Sequence, residues 1–282
     1  MGARQLMSVK GFATKIHKIL LTDRGVNLGC GGFTGEGKST FTTLLEKEYS
    51  KVSNTKWDFS HMTWDRKEMM KWIDGEGKEK KGQLPEYSAI LPDELFHMFY
   101  RRNWFMTSQI DAISTFNMCR DRHLLVAGNI PNFWELDTGF TNRIMFFVYI
   151  PRRGTAWVFQ QDDNPFIDDP WNRRVNSKLF NRYGNPYKCK NFLCEIHFPD
   201  WDEQEKKEYL KIRNQKRLLK NNDDGDRYSP SKLRRQRDGA VYVAIEEGVK
   251  LKVLASEMKL TVAGISDIYS RIQEVKETTS NI

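Results

Sequence analysis

Eight residues open the chemical reading of this chain. Gly32, Phe33, Thr34, Gly35, Glu36, Gly37, Lys38 and Ser39 stand in the spacing G-x-x-x-x-G-K-S/T. Glycines in such a stretch let the backbone curl and turn its N–H groups toward one point, which is what a bound phosphate needs. A helix starting near Lys38 adds its positive dipole end. Lys38 provides a mobile cation for β- and γ-phosphates, and Ser39 a hydroxyl for Mg²⁺. Thr40 follows directly and joins the phosphate-contacting set. The expected ligand is ATP with Mg²⁺. The apolar run Val26–Cys30 lies before the loop, and Phe41, Leu44, Leu45 and Tyr49 recur at helical spacing after it. A strand leading into the loop and a helix leaving it are therefore predicted.

A triphosphate hydrolase needs a second strand that ends in a carboxylate near the metal, and a base for the attacking water. The run from Ser88 to Glu94 offers both. Asp93 is expected to hold Mg²⁺ through water, and Glu94 to polarise the lytic water. Pro92 stands before this pair and removes a ladder N–H, so the strand must end or lie unpaired there. The alternative is an ordinary Pro-Asp helix start with Asp93 as its cap. Asn129 follows the next apolar run and is expected to orient water or sense the γ-phosphate, the alternative being a plain Asn-x-Pro turn. An arginine from a neighbouring subunit often completes such a site, and the candidates are Arg120, Arg122, Arg143, Arg152 and Arg153.

The elements that must position these groups follow from periodicity. Strands are expected around residues 53–61, 87–91, 124–127, 144–150, 155–159 and 192–198. The apolar run at 144–150 reads as a strand buried on both faces, and 155–159 as antiparallel to it after the turn at Gly154. Helices are expected at 39–52, 64–73, 95–100, 106–119 and 202–219. Strands alternating with helices predict an α/β fold with a three-layer core and a mostly parallel sheet.

Composition bounds the rest. The chain has 282 residues, 39% of them hydrophobic and 12% aromatic, which excludes global disorder. No run of about 18 apolar residues predicts a membrane-spanning helix. The N-terminus lacks the order of a signal peptide, and Leu6 stands where myristoylation requires Ser or Thr. The four scattered cysteines read as reduced thiols, so a cytoplasmic location is expected. The net charge is +8, with 45 basic and 37 acidic residues. Between 206 and 237 twelve cations face four acids, so the excess sits there. Such a stretch suits phosphate contacts that position without reading sequence; its alternative is a solvated helix and a flexible linker at 220–230.

The segment from Leu251 to Ile272 has the pattern of a helix-turn-helix. Ala255 is the small residue where two helices cross, Leu260 and Ile265 anchor the turn, and Ile268 and Ile272 continue the apolar face. A recognition helix at about 263–275 would expose Ser266 and Arg271 to duplex DNA. Arg234, Arg235 and Arg237 are the phosphate-contact candidates before it. Lys259 stands at the tight turn. The alternative is a three-helix cap that binds protein. The expected organisation is a phosphate-loop core at 1–200, a basic helix and linker at 201–237, and the helix-turn-helix domain at 238–282.

From Val26 to Phe159 the chain resembles the additional-strand P-loop ATPases, and within them the FtsK/HerA-type translocases and Zot-like phage ATPases. The stretches from Cys119 to Asn129 and from Asn142 to Phe146 carry the family's order of arginine, strand and polar sensor, followed by arginine and strand. The resemblance favours Arg143 and Arg120 as the arginines that act on nucleotide. It implies a homo-oligomeric ring with nucleotide between subunits, acting on double-stranded DNA with a phage or plasmid protein as a further partner. Asn129 stands where many members carry Gln, and the chain lacks the membrane segment that FtsK and Zot proteins often carry. The expected function is an ATP-hydrolysing packaging or translocating motor. A non-motor ATP-dependent switch or loader is the alternative. A small-molecule kinase is the third reading, and it lacks a visible lid and acceptor site.

Overall fold

The computed structural model describes residues 5–99, 113, 119–164, 166–224 and 230–280. Two compact units divide the chain, 1–217 and 218–282.

The first unit begins with strand β1 (Leu6–Met7), helix α1 (Val9–Leu20) and strand β2 (Val26–Gly32). Helix α2 (Lys38–Ser53) follows the loop. Next come β3 (Met62–Thr63), α3 (Arg66–Asp74), β4 (Ala89–Pro92) and the single turn α4 (Leu95–Met98). β5 (Leu125–Asn129), the short α5 (Thr138–Thr141), β6 (Ile144–Arg152) and β7 (Thr155–Gln160) complete the centre. α6 (Arg173–Tyr183), β8 (Phe192–His197) and α7 (Glu203–Asp224) close it.

These strands form one eight-stranded sheet in the order β1-β8-β7-β6-β2-β5-β4-β3. Only β6–β7 and β7–β8 are antiparallel; the other pairings are parallel. β5 lies between the loop strand β2 and the acidic strand β4. Helices cover both faces. Phe12, Ile16, Phe41 and Leu45 pack on one side with Leu125 and Ala127. Met69, Ile73 and Leu95 pack on the other with Ile90 and Val126. The alternation of Leu125, Val126 and Ala127 between the two cores follows from the two-residue period of a strand. This is the expected three-layer α/β core with a mostly parallel sheet.

Several local expectations are corrected. The strand expected near 53–61 is only Met62–Thr63; Phe59–His61 is a single tight turn started by Asp58, whose side chain accepts from Ser60 N. β6 is not buried on both faces, because Met145, Phe147 and Tyr149 are only partly covered while Ile144, Phe146, Val148 and Ile150 are fully buried. The linker expected over 220–230 is helical as far as Asp224, where no breaker precedes Gly225, and residues 225–229 lie outside the described residues. α1 and α6 were not expected at all. The helix expected over 106–119 lies almost wholly outside the described residues.

Pro92 behaves as its chemistry requires. It is the last residue of β4, it pairs with Thr63 of β3, and the ladder to β5 covers only Ala89 and Ile90. Asp93 N then donates to Thr63 O at 2.9 Å. The proline ends the strand and directs the acidic pair out of the sheet rim.

The second unit is helical: α8 (Pro230–Glu246), α9 (Leu251–Glu257) and α10 (Val262–Ser280). Val241, Ala255, Ile265 and Ile268 form its core. The turn between α9 and α10 passes through Lys259 in the left-handed region at φ 53°, where glycine is the usual occupant. Thr261 Oγ1 accepts from Gly264 N at 3.1 Å and caps α10. No helix among the described residues is long and apolar enough to cross a membrane.

Candidate functional site at the rim of the parallel strands

The loop Gly32–Ser39 leaves β2 at the C-terminal rim of the sheet. Gly32, Gly35 and Gly37 all have positive φ, at 142°, 89° and 96°. A Cβ on Gly32 would stand 2.6 Å from Ile150 O, so that position admits only glycine. Gly37 caps α2 without a capping side chain, and the first turn of α2 holds no acid. Its amides and dipole are therefore open to an anion, as a phosphate cradle requires. Lys38 Nζ donates to Gly32 O at 2.8 Å and to Phe33 O at 2.9 Å, which holds the ammonium over the loop. Phe33, Thr34 and Gly35 are exposed, Thr40 is buried, and Glu36 Oε2 accepts from Arg153 N at 3.0 Å.

Three strand ends converge beside Lys38. Ser39, at the start of α2, donates through Oγ to Asp93 Oδ1 at 3.3 Å. Asn129, the last residue of β5, donates through Nδ2 to Asp93 Oδ1 at 2.6 Å and to Ser39 Oγ at 3.2 Å. Its Oδ1 accepts from Thr42 Oγ1 at 3.3 Å. Asp93 is 5% exposed, and burial raises its pKa above the usual carboxylate value while the Asn129, Tyr209 and Ser39 hydrogen bonds oppose that rise. The donor set of one hydroxyl and one buried carboxylate is all oxygen, which fits a small hard cation such as Mg²⁺.

Glu94 follows Asp93 at φ 70° and ψ 47°. A left-handed conformation at a non-glycine residue costs free energy and recurs at functional sites. It turns the chain between the buried Asp93 and the start of α4. Asp93 and Glu94 thus point to different environments, one buried against Ser39 and one half-exposed.

Two further residues reach this cluster and were not expected from sequence. Thr42 lies one helical turn beyond Ser39, a spacing that could have marked it. Tyr209 of α7 donates to Asp93 Oδ2 at 2.8 Å and lies 3.1 Å from Ser39 Oγ. Burial and the Asp93 charge push its phenol pKa up, so it stays a donor. The only signal in sequence was an aromatic residue within a highly charged helix.

Of the arginine candidates, the two favoured ones, Arg143 and Arg120, are not brought to the loop. β2 and β6 pair from Asn27↔Ile144 to Gly32↔Ile150, so Arg143 sits at the opposite end of β2, about 17 Å of strand away. There its guanidinium donates to Gly139 O, and its carbonyl accepts from Asn27 Nδ2 at 3.2 Å. Arg120 precedes β5 at that same far end, and its side chain lies outside the described residues. Arg122 donates to Leu84 O. Arg152 and Arg153 are the candidates at the loop end, and Arg153 pairs with Asp200 at 3.4 Å.

In the helical unit, the carboxylate of Asp238 takes Arg237 at 2.6 Å and Arg271 at 2.5 Å. Two of the five expected DNA contacts, Arg237 and Arg271, are thus engaged within the unit, although the Arg271 side chain remains 62% exposed. Ser266 is exposed. The side chains of Arg234 and Arg235 lie outside the described residues.

No protein-family model and no curated protein matches the chain. Among solved structures it is similar to C. elegans PCH-2, with 13% identity and a TM-score of 0.33 over 51% of this chain and 42% of that one. It is similar to a FIGL-1 AAA domain, with 16% identity and a TM-score of 0.33 over 61% and 54% of the two chains. A chain of the E. coli MS115-1 HORMA:CdnC:Trip13 complex aligns at 9% identity and a TM-score of 0.33 over 93% and 84%. The chain spans about half the length of the first two. The likeness is distant.

Proposed function

We propose that the chain is an ATPase that drives the packaging or translocation of double-stranded DNA, working as a homo-oligomeric ring with a phage or plasmid protein as a further partner. The observation that carries the ATPase reading is the convergence of Ser39 at the start of α2 with Asp93 and Asn129 at the ends of two adjacent strands, within 2.6–3.3 Å beside Lys38. β5 stands between the loop strand and the acidic strand, which supports an additional-strand P-loop ATPase of the FtsK/HerA kind.

Each residue then has a defined task. The loop amides and Lys38 bind the β- and γ-phosphates. Ser39 and Asp93 hold magnesium, which when bound supplies positive charge to the phosphate oxygens. Glu94 accepts a proton from the attacking water, and its half-exposed position lets water reach it. Asn129 fixes the Asp93 carboxylate and keeps its amide beside the γ-phosphate position. Arg143 and Arg120 act on nucleotide only from a neighbouring subunit, since within one protomer they stand at the far end of the sheet.

The DNA reading rests on the basic run between 206 and 237 and on the helix–turn–helix order of α9 and α10. Six to ten phosphate contacts make affinity fall steeply with salt. The test is ATP turnover with and without duplex DNA, beside mass measurement with a non-hydrolysable ATP analogue. Stimulated turnover, a ring-sized mass and displacement of a triplex strand support the motor. Stimulated turnover without triplex displacement points to a switch or loader. A strict monomer with no DNA stimulation overturns the proposal, and loss of turnover in Lys38→Ala ties any activity to the loop.

A further inference from the structure

The hydroxyl of Tyr209 occupies a chemically specific position. It lies 3.1 Å from Ser39 Oγ and 2.8 Å from Asp93 Oδ2. In an octahedral magnesium shell with bonds of about 2.0–2.1 Å, neighbouring ligand oxygens are about 3 Å apart. A water bound next to Ser39 and hydrogen-bonded to Asp93 needs those same two separations. A side-chain hydroxyl therefore stands where the proposed metal site calls for a metal-bound water.

The side chain is held there by its helix. Tyr209 is 5% exposed, with Trp201 at 4.5 Å and Phe59 at 6.3 Å between ring centroids. Arg213, one turn on, lies over the ring at 5.6 Å. Two ion pairs fix α7 on either side: Glu205 with Lys47 of α2, and Lys216 with Glu68 of α3 at 2.8 Å. Lys216 also donates to Met62 O of β3 at 2.6 Å. Helix α7 is thus tied to the loop helix, to the acidic strand end and to the neighbouring strand. The two ion pairs lie on half-buried charges that water still reaches and can partly replace. The Tyr209 contact is the buried one and the one that competes with a ligand.

We propose that Tyr209 holds the place of a magnesium-bound water between Ser39 and Asp93, and that hydrated magnesium arriving with nucleotide displaces the hydroxyl and loosens α7. Tyr209 is then a positioning residue through which the basic helix registers whether the site is loaded. The inference rests on the proposed nucleotide site and adds to it a device that links loading to α7.

The test is amide hydrogen exchange over residues 203–216 of the full-length protein, free, with a non-hydrolysable ATP analogue in EDTA, and with the analogue plus Mg²⁺. Exchange in this segment is expected to rise only in the last condition. In Tyr209→Phe, which keeps the ring between Trp201 and Phe59, the difference between the EDTA and Mg²⁺ conditions is expected to vanish. Half-saturation by Mg²⁺ at fixed analogue is expected to need about fivefold less metal, because no hydroxyl has to be displaced. If the analogue binds and exchange over 203–216 is unchanged by Mg²⁺, the displacement is wrong while the nucleotide site stands. If the analogue does not bind at all, both fall together. Should Tyr209→Phe fail to fold, the wild-type exchange comparison decides the question alone.

Discussion

Asn129 Nδ2 donates to Asp93 Oδ1 across 2.6 Å, joining two strand ends that are 36 residues apart in sequence. The same amide reaches Ser39 Oγ, and its oxygen takes the Thr42 hydroxyl. One neutral side chain therefore ties α2, β4 and β5 together at the rim of the sheet. It also steadies a buried carboxylate without adding charge, which a second acid at that distance could not do.

Asn129→Ala removes three hydrogen bonds at once and leaves the buried Asp93 with fewer donors. An uncompensated buried group costs about 1–3 kcal/mol. The variant is expected to unfold at lower denaturant concentration than the wild type, and to lose turnover even where it is fully folded. Chemical denaturation followed by circular dichroism, with ATPase rates alongside, checks both parts.

Glu94→Gln keeps shape and hydrogen bonding but cannot take a proton from water. Turnover is expected to fall by about 10²–10⁴, with binding of a fluorescent ATP analogue retained. Normal hydrolysis in this variant would show that the base lies elsewhere.

Glu46 on α2 is fully buried beneath the sheet, with the Trp57 side chain and the Ala127 backbone beside it. Burial pushes its pKa well above 4.5. A carboxyl whose pKa is raised on folding contributes stability that is complete below its unfolded pKa and is lost as pH rises through the folded value. The melting temperature should therefore decline as pH rises from the ordinary carboxylate value of 4.5 toward the raised folded value, and Glu46→Gln should flatten that decline. Thermal melts across a pH series measure it. Equal slopes for the two proteins would count against a buried neutral Glu46.

Truncation position separates the roles of α7. A chain ending after Arg217 keeps Tyr209, Lys216 and their anchors, and is expected to bind nucleotide as the full chain does. It should lose DNA affinity and show a shallower dependence of that affinity on salt. A chain ending after Glu205 also loses Tyr209 from the core and is expected to melt at a lower temperature. DNA titrations at several salt concentrations, together with melting curves, distinguish the two.

The glycine-rich loop, the acidic pair and the strand–helix alternation were legible because each is a local pattern. Positive φ at Gly32, Gly35 and Gly37, the strand stop at Pro92 and the apolar runs all follow from residue type within a few positions. Local spacing also gave the helical C-terminal unit, through Ala255, Ile265 and Ile268. The short strand Met62–Thr63 was misplaced because two residues carry too little periodicity, and its existence depends on pairing with Leu91 and Pro92. α6 carries Val175, Leu179, Phe180 and Tyr183 at helical spacing, but four apolar residues in a charged stretch gave a weak signal, and none of its residues is buried. The arginines show the limit most clearly. Sequence order placed Arg143 beside an apolar strand, but only the register of β6 on β2 decides which end of that strand it occupies. Tyr209 lies 116 residues from Asp93, and its hydroxyl reaches the acid because α7 folds back over the rim. The residue types for phosphate and metal chemistry were written in local sequence. Which distant side chains join them was decided by strand order and helix docking, because those distances are set by packing across the whole sheet.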